Sequence, residues 1–170
     1  MLDDRKPILV FTDAAEEGEH VTYGIVLYAD EKRFVAGGDG PSVLVKAWKS
    51  QGINHVICQA ELYPVTLAKH FFCDLLASRR VLHFIDNEPA KFGLIKAESS
   101  SPSSNNLIKA FHECESVFPS TSWFARVPSH SNIADAPSRG LVVETAKEID
   151  AEVVLLHDFE QELLERLTKF

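Results

Sequence analysis

The sequence predicts an α/β domain built on a five-stranded mixed sheet, with the first three strands antiparallel and helices flanking it. Three observations lead there. An apolar run, Ile8-Leu9-Val10-Phe11-Thr12, ends abruptly at Asp13 and the small residues Ala14 and Ala15, the form of a buried central strand that delivers a carboxylate to a sheet edge. Two more strand-like runs follow across short polar turns, as in an antiparallel meander. A long helical stretch then leads into a second apolar run ending in aspartate, Val81-Leu82-His83-Phe84-Ile85-Asp86. A strand that follows a crossover helix lies parallel to its neighbour, so Asp13 and Asp86 emerge at the same end of the sheet.

Taken in order, His20 to Ala29 forms the second strand, Asp30-Glu31-Lys32-Arg33 the turn, and Phe34-Val35-Ala36 the third strand, broken by Gly37-Gly38-Asp39-Gly40-Pro41. Ser42 to Gly52 suits a short helix carrying Trp48, and Ile53 to Cys58 reads as extended. From Gln59, apolar residues recur at helical spacing through Leu76. Proline is tolerated in the first helical turn, so Pro64 predicts a start near Gln59 and places Glu61 in that first turn. Asn87-Glu88-Pro89 opens a helix through Ile95, and Ser103 or Ser104 caps a helix over Asn106 to Val117. The fifth strand is Trp123 to Val127. The polar loop Ser129-His130-Ser131-Asn132 then leads to a short helix start, Ile133-Ala134-Asp135-Ala136, halted at Pro137. Residues 1–140 form the main domain, and 141–170 a helical extension packed on it: a helix over Glu144 to Ile149, an extended Glu152 to Leu156, and a last helix from Asp158. Asp158 with Gln161 resembles a capping box, and Phe159, Leu163, Leu167 and Phe170 form one apolar stripe.

Composition narrows the classes. A chain of 170 residues with 45% hydrophobic residues fits one soluble domain. Neither a signal-peptide core nor an apolar run of the roughly 18 residues that span a bilayer is visible, so an intracellular site, cytoplasm or nucleus, and no membrane partner are expected. Cys58, Cys73 and Cys114 are odd in number and lack a C-x-x-C pair, which favours free thiols. Pairs such as His55 with Cys58 or His112 with Cys114 lack the second pair that a zinc finger needs. A net charge of −8 argues against a surface that grips phosphates everywhere, yet acids clustered around divalent metal would themselves contribute to that total.

Four acids stand out: Asp13 and Asp86 at strand ends, Glu61 in a helical turn, and Asp135 after a polar loop. The segments Phe11-Thr12-Asp13-Ala14, Gln59-Ala60-Glu61-Leu62, Phe84-Ile85-Asp86-Asn87 and Asn132-Ile133-Ala134-Asp135-Ala136-Pro137-Ser138-Arg139 resemble the motif blocks of type 1 ribonuclease H. They look most like the ribonuclease H domains of retroelement reverse transcriptases. The last block is the most specific. The resemblance runs from about Ile8 to Arg139 and implies a ribonuclease H-like fold. It also implies an endonuclease that hydrolyses the RNA strand of RNA·DNA hybrids, with a reverse transcriptase or polymerase as neighbouring domain or subunit. By the same resemblance the four acids hold two Mg²⁺, with Mn²⁺ as a substitute: Asp13 shared by both ions, Glu61 and Asp86 on one, Asp135 on the other. The chemistry suits the residues, because two ions about 3.5–4 Å apart activate a water and stabilise the leaving oxygen, and Mg²⁺ prefers hard oxygen ligands. His130 matches a loop histidine that shuttles protons in the family, against the bland alternative of an exposed loop residue. Asn87 and Asn132 are candidate substrate contacts, Asn87 with a turn bond and Asn132 with a helix cap as alternatives, and Arg139 is placed to pair with an acid.

Departures and rivals remain open at this stage. Cellular members often carry a basic helical protrusion, and the basic residues here are scattered. A proofreading exonuclease wants Asp-x-Glu on the first strand, whereas position 15 is alanine. An integrase places its glutamate last of the three main acids, whereas Glu61 comes second. A Holliday-junction resolvase shares the order of acids, and a noncatalytic interaction module on the same fold is the alternative from another class.

Overall fold

The computed structural model describes residues 4–168; Met1, Leu2, Asp3 and the Phe170 end of the apolar stripe lie outside that range. The sheet has six strands, not five, in the order β5-β4-β1-β2-β3-β6. β1 (Ile8–Glu17), β2 (His20–Ala29) and β3 (Lys32–Asp39) form the expected antiparallel meander. β4 (Arg80–Ile85) lies parallel to β1, and β5 (Thr121–Arg126) parallel to β4. The extra strand, β6 (Glu152–Val153), pairs with the far side of β3. Only two residues of the stretch read as extended from Glu152 to Leu156 make that ladder, too short a run to register as a sheet member from the sequence.

Helices cover the faces unequally. One face carries α1 (Ser42–Ser50), α2 (Ile57–Phe71), α3 (Cys73–Leu76), α4 (Glu88–Lys96), α5 (Pro102–Val117) and α8 (His157–Thr168). There Ile8, Val10, Ile25 and Leu27 meet Leu62, Val65, Leu107 and Phe111 in the main core, and Leu163 and Leu167 of α8 close it. On the other face α6 (Asp135–Ser138) and α7 (Val142–Ile149) sit over β2 and β3, burying Val26, Val35, Ala134 and Ala146. Tyr23 and Tyr63 both donate hydroxyl hydrogen bonds to Glu160 Oε1, at 2.9 and 2.8 Å, pinning α8 to β2 and α2.

Several local expectations shift. Residues 53–56 precede α2 as loop, and Ile57 and Cys58 already belong to it, so no strand forms there. Pro64 sits inside α2 rather than in its first turn, and Glu61 is the fifth helical residue. The helix tolerates the missing N–H because tight packing on all sides holds it: Gln59 through Lys69 are all buried. Capping of α5 falls to Ser101, whose Oγ accepts from the Ser104 amide, with Pro102 at the first position, where its absent N–H costs nothing. Pro137 does not halt its helix; it lies within the first turn of α6. Gly37 and Gly38 do not break the third strand, which runs on to Asp39. The three cysteines are free. Among the described residues no helix is long and apolar enough to cross a membrane.

Candidate active site

Parallel pairing of β1 and β4 brings the first two acids together. Phe11 is registered with Phe84, so Asp13 and Asp86 each lie two residues beyond that pair, Asp86 just past the end of β4 and Asp13 within β1, which does not end there as expected but runs on to Glu17. α2, packed across β1, brings in Glu61, to which the Ala14 amide donates a hydrogen bond. Asp135 arrives from the opposite face, and two glycines make room for it. Asp13 pairs across the ladder with Gly24, and Gly24 with Gly37. A Cβ on Gly24 would meet the Ala134 oxygen at 2.4 Å and the Ser138 nitrogen at 2.5 Å; one on Gly37 would meet the Pro137 oxygen at 2.8 Å. These glycines form a bed on which the backbone of 134–138 lies directly against the sheet.

Asn132 ties that segment down. It is 5% exposed; its Nδ2 donates to the Thr12 carbonyl at 2.9 Å and its Oδ1 accepts from the Ala134 amide at 3.1 Å. These two bonds hold the backbone around Asn132 against β1. Asn87 Oδ1 likewise accepts from the Ala90 amide at 2.9 Å and caps α4. His130 occupies an exposed 3-10 turn, Ser129–Ser131, beside the site. Arg139 pairs as expected: its Nε donates to both Asp135 oxygens, at 3.1 and 3.2 Å.

Burial and neighbouring acids raise two of the carboxyls. Asp13 is pushed up to about 6, chiefly by burial and then by the charges of Asp135 and Asp86, while a hydrogen bond from Ser138 works in the opposite direction. Glu61 is pushed up to about 9 by burial, with Asp13 and Asp86 adding to the rise. Such shifts mark acids placed closer than their own charges favour. Sequence reasoning missed the partners that offset this. Ser138, fully buried, donates to Asp13 Oδ2 at 2.8 Å; Ser129 donates to Asp86 Oδ2; Arg126 lies 3.7 Å from Asp86 Oδ1. A glycine in mid-strand, Tyr23-Gly24-Ile25, was the one available signal of a close backbone approach.

A hard cation fits this donor set on one specific ground: Glu61 Oε2 is buried and, among the described residues, has no hydrogen-bond partner. A buried carboxylate oxygen left so is costly unless something positive meets it. Among the described residues no three His, Cys, Asp or Glu side chains gather around one point, so the grouping of Asp13, Glu61 and Asp86 on a single ion is not formed here.

No protein-family model matches the chain, and no curated protein does. Solved structures do. The chain is similar to RNase H1 from the halophilic archaeon Halobacterium salinarum, 17% identical over 82% of this chain and 99% of that one, with a TM-score of 0.58. A compost-derived RNase H1, solved in complex with an RNA/DNA hybrid, is 14% identical over 81% of this chain and 97% of its own, at 0.56. The N-terminal RNase H domain of a Mycobacterium tuberculosis protein, solved as a fusion with maltose binding protein, is 14% identical over 84% and 98%, at 0.52. At these identities the likeness establishes the architecture: this chain has a ribonuclease H-like α/β fold.

Proposed function

We propose that the chain is a divalent-metal-dependent endoribonuclease that hydrolyses the RNA strand of RNA·DNA hybrids. The observation that carries this reading is that Asp13 and Glu61, from separate elements, are raised first by burial and then by neighbouring acids, Asp135 and Asp86 for the former and Asp13 and Asp86 for the latter. The fold supports it, since a similar structure holds an RNA/DNA hybrid. Asp13, Glu61, Asp86 and Asp135 are the residues that would hold Mg²⁺ or Mn²⁺. When bound, two such ions supply an activated water and neutralise the leaving oxygen.

The chain's own part is positional. β1 and β4 fix Asp13 and Asp86 at one level, the glycine bed and Asn132 fix Asp135, and the α2 backbone fixes Glu61. His130, exposed beside Ser129, takes up or delivers a proton at the imidazole as product leaves. With a net charge of −8 the isolated domain holds hybrid weakly, and a reverse transcriptase or polymerase neighbour of the retroelement type supplies the grip.

The test is cleavage of matched RNA·DNA, RNA·RNA and DNA·DNA duplexes and a four-way junction across a Mg²⁺ titration. Selective cutting of the RNA strand of the hybrid is expected. Preference for the junction would transfer the site to a resolvase, and no cutting of any substrate at high enzyme concentration, with no calorimetric Mg²⁺ or Mn²⁺ binding, would make the fold an interaction module.

A further inference from the structure

We propose that the hydroxyls of Ser129 and Ser138 are built-in counter-donors, which occupy oxygens of Asp86 and Asp13 in the metal-free protein and release them when a divalent cation enters. The two serines thereby set how readily the site takes metal. This rests on reading the four acids as a metal site.

The two contacts come from independent elements and reach different acids. Ser138 Oγ lies 2.8 Å from Asp13 Oδ2 and 2.7 Å from the Asp135 carbonyl oxygen. Both neighbours are acceptors, and a serine hydroxyl carries one proton, so it donates to one at a time. When Asp13 Oδ2 turns to a cation, the proton swings to the Asp135 carbonyl, and the buried hydroxyl is never left without a partner. Ser129 is exposed, so water replaces Asp86 once its Oγ lets go of Oδ2. Neither hydroxyl is left without a partner on release, and the Ser138 bond works against the burial and the charges of Asp135 and Asp86 that raise Asp13.

Arg139 and Arg126 extend the same pattern to Asp135 and the second oxygen of Asp86. Glu61 Oε2 is buried with no hydrogen-bond partner among the described residues, so no protein donor would compete with a cation there.

A hydroxyl that acts only in the metal-free form opposes binding, so deleting it tightens binding. A residue that merely supports the local structure would do the reverse. The experiment titrates Mn²⁺ into wild type, Ser129→Ala, Ser138→Ala, the double variant and Asp13→Asn, reading free Mn²⁺ by its electron paramagnetic resonance signal without nucleic acid. Each serine variant is expected to bind Mn²⁺ about three- to tenfold more tightly, the span of one net hydrogen bond, and the double variant more tightly than either. Ser129 is exposed, so its variant reports even where a change at buried Ser138 perturbs folding. Binding no tighter than wild type in either variant overturns the proposal. Should Asp13→Asn bind Mn²⁺ as tightly as wild type, the assignment of the acids to metal is what fails.

Discussion

Glu61 and Lys69 are buried ionisable groups on the same helix, about two turns apart, and the protein surrounds them in opposite ways. Lys69 Nζ has an acceptor for each of its three protons: Glu115 at 2.7 Å, the Phe118 carbonyl at 2.8 Å and Ser120 Oγ at 3.3 Å. Its position at the C-terminal end of α2 also places a positive charge where the helix dipole favours one. Glu61 receives one amide, faces two other carboxylates, and keeps Oε2 without a partner among the described residues. The lysine end is closed and structural, tying α2 to the start of β5. The glutamate end is electrostatically unfinished, its buried carboxyl facing like charges.

That contrast can be broken from either end. The largest effect is expected at the unfinished one: Asp13→Asn or Asp86→Asn should reduce Mg²⁺-dependent hybrid cleavage by more than about a hundredfold, beyond the span of substitutions that act on metal ligands from outside. Robust cleavage by either variant would remove these acids from the chemistry. At the closed end, Lys69→Met strands the Glu115 carboxylate and should cost about 3 kcal/mol of stability, the lower part of the range for breaking a buried pair because Glu115 is 16% exposed. Chemical denaturation measures it. Adding Glu115→Leu should recover much of the loss, and Mn²⁺ affinity should stay unchanged throughout.

Gly24→Ala lies between the two in kind, because its Cβ would strike the backbone of 134–138. A loss of about 1–3 kcal/mol is expected, as for overpacking, accompanied by reduced cleavage as Asp135 is pushed away. Wild-type behaviour on both counts would show that the bed is not needed. A separate effect is on pH dependence. Without metal, burial and the neighbouring charges of Asp13 and Asp86 push folded Glu61 up to about 9 from an ordinary value of 4.5. Between those values the native state binds more protons than the unfolded one, so this group's contribution is complete below 4.5 and is lost as pH rises toward 9. Glu61→Gln should flatten that part of the profile in denaturation at about pH 5 and about pH 8 in chelator. An unchanged slope would assign it to other groups.

Much of this was readable from the chain because it lies in local patterns. The apolar run that stops at Asp86 announced a strand end, whereas β1 runs on past Asp13 to Glu17, and a crossover helix between the two runs announced parallel pairing. What escaped were features set by distant neighbours. Pro64 suggests a helix start only if nothing else holds the helix, and burial of Gln59 through Lys69 does hold it. Gly37-Gly38 looks like a break unless one knows that Pro137 comes to rest on Gly37. Likewise, Ser138 and Ser129 are ordinary polar residues in sequence; separations of 125 and 43 residues hide the acids they serve. β6 is a strand only because the β3 edge was free to receive it.

The most direct test of the central claim uses a hybrid labelled on its RNA strand, incubated with the wild-type chain in Mg²⁺, then in excess chelator, then with Mg²⁺ restored. The account predicts RNA cleavage that stops on chelation and returns with the metal, the DNA strand remaining intact. Cleavage that persists in chelator, or that falls on the DNA strand, would contradict it.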